Sequence, residues 1–83
     1  MTKQKAIKFF NDYITNQRDP EDSSNIKDLY DKVIYESQGD TLVVQAFYDR
    51  EVETHVFKNK KLLVYSRTED GCLENQKGFK KLV

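Results

Sequence analysis

Glu51, Glu53 and His55 alternate along one short segment and could act together. On an extended strand they project to one side, about 7 Å apart at each step, and with nearby Asp49 a set of carboxylates and imidazole can ligate a divalent metal. Two facts weigh against that chemistry. His55 is the one histidine in the chain, and its same-face neighbours on adjoining strands are expected to be Val44 and Val64. A partly buried histidine paired to Glu53 accounts for the spacing without a metal, so no metal ligand is assigned. Cys72 follows Gly71 in a turn, but a nucleophilic thiolate needs a base or a cationic field. Beside Leu73 it reads as small apolar filling. Gly39, Gly71 and Gly78 stand too far apart for a phosphate-cradling loop, and neither a serine elbow nor a zinc-protease helix motif occurs. The expectation is a chain with no catalytic residue, no cofactor and no enzymatic activity, with a metal-dependent hydrolase centred on His55 and Glu53 as the rival reading.

Charge offers a second chemistry. Lys58, Lys60, Lys61 and Arg67 occupy one acid-free stretch, and Lys77, Lys80 and Lys81 another. If the tail lies beside the hairpin at Asn59, these seven cations gather on one edge. There they would contact phosphates while Phe57, Tyr65 or Phe79 stack on bases. Against this, lysines on an edge strand equally deter sheet-to-sheet aggregation. The fourteen basic and fourteen acidic side chains also cancel, which excludes a generic nucleic-acid coat.

The elements that must position these residues follow from periodicity. Thr2 can cap a helix carrying Ala6, Ile7, Phe10, Tyr13 and Ile14 on one stripe, ending near Gln17 because Pro20 biases Asp19 away from helical dihedrals. Ile26, Leu29, Tyr30, Val33 and Ile34 repeat at i, i+3, i+4, i+7 and i+8, which predicts a second helix capped by Ser23 or Ser24 and stopped at Gly39. The segment 32–37 is β-branched enough to offer a strand as the rival. From Thr41 the period becomes two, predicting strands over 41–48, 51–57 and 61–67 joined by turns at Asp49-Arg50 and Asn59-Lys60. Residues 79–83 read as a fourth strand or a helical turn.

Eighty-three residues make one compact domain, 1–83. Its expected fold is α+β, with two N-terminal helices packed on one face of a three- or four-stranded antiparallel meander. Even-length turns place Val43, Gln45, Phe47, Val52, Thr54, Val56, Leu63 and Tyr65 on the uncharged face, the one expected to meet the helices. The other face carries Leu42, Val44, His55, Phe57, Leu62 and Val64. Two helices blanket one face, so these six are the expected protein-docking surface unless Cys72, Leu73, Phe79 and Leu82 fold back over them. The resulting function is a small non-enzymatic protein-binding module, of the kind found as accessory or inhibitory proteins of phages and mobile elements. Its partner is another protein or a second copy in a homodimer. Nucleic-acid binding through the basic hairpin and tail is the alternative. The longest apolar runs near the N-terminus are pairs, so no membrane partner is expected and the compartment is taken as cytoplasmic.

Overall fold

The computed structural model describes residues 2–16, 26–69 and 78–83. Helix α1 (Lys3–Asn16) begins where expected. Thr2 Oγ1 accepts from the Lys5 amide at 3.3 Å, and the Thr2 carbonyl accepts from the Ala6 amide at 2.9 Å. Ala6, Phe10 and Ile14, four residues apart in turn, are its buried positions. Pro20 and the Ser23 and Ser24 caps lie outside the described residues.

The second helix is the first correction. Helix α2 (Ile26–Leu29) is a single turn, tied to α1 by the Ile26 amide donating to Asn11 Oδ1 at 2.9 Å. The chain then becomes strand β1 (Lys32–Gln38). A strand with both faces covered places apolar side chains at adjacent positions, just as positions i+7 and i+8 of a helix do. Val33 and Tyr35 enter one cluster and Ile34 the other, so this repeat continued unbroken across a change of structure. Gly39, with φ +61°, forms a hairpin turn rather than a helix stop.

Strands β2 (Thr41–Tyr48), β3 (Glu51–Lys58) and β4 (Lys61–Glu69) follow as a meander. They are joined by two-residue turns in which Asp49, Arg50, Asn59 and Lys60 all have positive φ, as tight hairpins require. A short β5 (Lys80–Lys81) pairs with β1. The sheet thus has five antiparallel strands in the order β4-β3-β2-β1-β5, not three or four.

The face assignment is the second correction. Ala6, Phe10 and Ile14 of α1 share one buried cluster with Val33, Tyr35, Leu42, Val44, Ala46, Phe57 and Leu82. Leu42, Val44, His55 and Phe57 are therefore interior side chains and cannot form a docking surface. The opposite face holds a smaller cluster of Ile34, Phe47 and Val52, against which Phe79 packs, with the Lys32 ammonium 4.7 Å from the Phe47 ring. The tail is divided: Phe79 joins the second cluster and Leu82 the first, while Cys72 and Leu73 lie outside the described residues.

A register shift between Val56 and Phe57 completes the picture. Phe57 pairs with Leu62 and Val56 with Val64, so Leu63 is the extra residue of a bulge on β4. Beyond it, Tyr65 stands opposite His55 and Arg67 opposite Glu53, while Val64 turns to the second face. Equal parity for the whole strand placed Tyr65 and Val64 on the wrong sides.

Candidate functional site

Strand β4 forms one edge of the sheet, and all nine of its residues are exposed. Four consecutive large apolar side chains stand there: Leu62 is 41% exposed, Leu63 65%, Val64 49% and Tyr65 47%. Of the six residues expected to dock a partner, only Leu62 and Val64 are on the surface. Leu63 and Tyr65, which the structure adds, escaped the periodicity because the expected face assignment put them under the helices.

Inward from this edge, between α1 and β4, a recess of about 380 Å³ is lined by Tyr13, Ile14, Tyr30, Glu53, His55, Leu62 and Tyr65. Helix α1 contributes Tyr13 and Ile14, the segment after α2 contributes Tyr30, and β3 contributes the alternating pair Glu53 and His55. Glu53 is the electrostatic hub. Its Oε2 accepts from the Tyr30 hydroxyl at 3.0 Å, and its Oε1 lies 3.4 Å from the Arg67 guanidinium. Arg67 also reaches Glu51 Oε2 at 3.3 Å, and these carboxylates, Glu51 above all, hold its pKa above the ordinary value.

His55 is 3% exposed and enclosed by rings. Phe10 lies 5.1 Å from it, Tyr13 5.8 Å, Tyr65 4.9 Å, and Phe57 stacks nearly parallel at 6.1 Å. Its Nε2 comes within 3.4 Å of Glu53 Oε2, inside ion-pair range, but neither ring nitrogen makes a hydrogen bond in the geometry present. Burial dominates its titration and lowers the pKa, with the adjacent Glu53 carboxylate opposing. The imidazole is therefore neutral near neutral pH. Among the described residues, no group of three or more His, Cys, Asp or Glu side chains is placed to hold a metal ion.

The basic set is not brought together. Lys58, Lys60 and Lys61 cluster at the β3–β4 turn, and Arg67 sits toward the other end of β4, engaged with Glu51 and Glu53. Lys80 and Lys81 lie on β5, at the opposite edge of the sheet from β4. Four strand spacings, about 19 Å, separate the two edges. Lys77 is outside the described residues. The single basic edge expected from the sequence therefore does not form from the described cations.

Among the described residues, no helix is long and apolar enough to cross a membrane. Comparison with known protein families, with curated proteins and with solved structures finds no match for this chain.

Proposed function

We propose that the chain is a non-enzymatic protein-binding module that takes an extended segment of its partner against β4. The observation that carries this reading is the exposed run Leu62, Leu63, Val64 and Tyr65 on a nine-residue edge strand. An edge strand presents a row of backbone donors and acceptors that another strand can complete, and apolar side chains beside that row supply the affinity. In this reading α1 stays over the face bearing Phe57 and His55, leaving β4 free. The enclosure of His55 by four rings favours a structural imidazole over a catalytic one.

Capture of partners from cell extract tests the proposal when the bait is compared with Leu63→Lys and Val64→Glu variants. Both positions are exposed, so the variants should melt at the wild-type temperature while losing the captured protein, and β4 amides should gain hydrogen-exchange protection in the complex. Capture that survives both substitutions contradicts the reading. Sedimentation over a range of concentrations separates a second copy of this chain from a different protein.

A further inference from the structure

We propose that the recess between α1 and β4 binds a methylated ammonium group, with Tyr13, Tyr30 and Tyr65 as its walls and Glu53 as its counter-charge. The volume, about 380 Å³, is that of a small-ligand site. Three of its seven lining side chains are phenols, whose ring faces attract cations electrostatically, and this is the means by which proteins recognise quaternary ammonium groups.

Local charge has the matching sign. Glu51 and Glu69 stand directly opposite each other on β3 and β4, with Glu53 two residues along from Glu51. Arg67 is shared between Glu51 and Glu53. With Asp49 and Arg50 of the adjoining turn, four carboxylates stand against two guanidinium groups, while Asp31 and Lys32 alongside cancel, which leaves negative charge in excess at this end of the sheet. The imidazole beneath the recess does not offset it, because burial keeps His55 neutral.

Hydrogen-bonding capacity selects the methylated form. A primary ammonium brings three donors that must all find acceptors. Glu53 already accepts from Tyr30 and Arg67, which takes up two of a carboxylate's roughly four lone-pair sites and leaves fewer than three donors need. A quaternary or trimethylated centre has no donor and needs only aromatic faces and a nearby negative charge. The group could arrive on a free small molecule or on a trimethylated lysine of a protein, and the chemistry recognised is the same.

The test titrates the full chain with choline and, separately, with its uncharged isostere 3,3-dimethylbutan-1-ol, following tyrosine ring resonances by NMR. Choline should shift the Tyr13, Tyr30 and Tyr65 rings saturably, and the isostere should not. Glu53→Gln retains an oxygen for the Tyr30 hydroxyl but loses the charge; it and Tyr65→Leu should each weaken choline binding about five- to tenfold. Tyr48→Leu, exposed and outside the recess lining, should leave it unchanged. An extended peptide with trimethyl-lysine that binds more tightly than both choline and its unmethylated counterpart assigns the source to a protein, and tighter choline binding assigns it to a free molecule. Equal shifts from choline and the isostere, no shift from choline, or binding indifferent to Glu53→Gln and Tyr65→Leu would each overturn the proposal.

Discussion

The Tyr30 hydroxyl donates to Glu53 Oε2 across 3.0 Å, joining the segment after α2 to the middle of β3. A hydrogen bond to a charged acceptor contributes about 1.5–3 kcal/mol, toward the lower end where solvent has partial access. Tyr30→Phe should therefore lower unfolding stability by about 1.5 kcal/mol in urea titrations. An unchanged midpoint would mean the contact is not formed in solution.

Burying His55 in its neutral form sets a pH dependence. Its folded pKa is depressed, mainly by desolvation, so the unfolded chain protonates first as pH falls below about 6.5. The contribution is fully present above that value and is lost as pH drops toward the folded pKa, at up to about 1.4 kcal/mol per pH unit. The groups facing the imidazole are Glu53 from β3, which resists the shift, and the rings of Phe10, Tyr13, Phe57 and Tyr65. Urea unfolding from pH 7.5 to pH 5 should fall more steeply for the wild type than for His55→Leu. Parallel curves would refute the assignment.

Core and edge are separable by truncation. Phe57 is 1% exposed and lies 4.9 Å from Phe9, edge to face, so Phe57→Ala should cost about 3–5 kcal/mol. Leu63→Ala should cost under about 0.5 kcal/mol. Denaturant midpoints measure both, and similar losses at the two sites would show that the face assignment is wrong.

Lys60 carries a positive φ of 63° after Asn59 at 52°. A lysine pays a steric cost there that glycine does not, and Asn-Gly is the favoured pair for such turns. Lys60→Gly should raise stability by about 0.5–1 kcal/mol, visible as a higher thermal midpoint. A lower midpoint would place the strain elsewhere.

Much of this arrangement was legible in the residues. Ala6, Phe10 and Ile14 marked the inner stripe of α1, and the two-residue periods from Thr41 onward marked three strands with their turns. The pairing of His55 with Glu53 was also legible, because alternation alone puts them on one side. Strand β1 was not, because adjacent Val33 and Ile34 satisfy a helical repeat and a doubly covered strand equally, and only the ladder to β2 decides between them. The aromatic recess was hidden for a different reason. Tyr13 and Tyr30 read as members of apolar stripes, and Tyr65 joins them only through an irregularity that leaves no compositional mark. The distance between Lys60 and Lys80 likewise depended on which edge accepted the final strand, a choice made by the Leu82 amide donating to the Val33 carbonyl at 2.7 Å.

The surplus residue at Leu63 acts on β4 as a change of reading frame. Ahead of it the strand presents Leu62 inward, and behind it Tyr65 and Arg67 take the inward positions that uninterrupted alternation would have handed to Val64 and Ser66. Strand length is consequently constrained separately from composition. Removing Leu63 would straighten the edge yet leave Tyr65 over His55, whereas one residue added after Val64 would swing Tyr65 and Arg67 outward together, taking a wall from the alcove and the guanidinium from Glu53 at a single stroke.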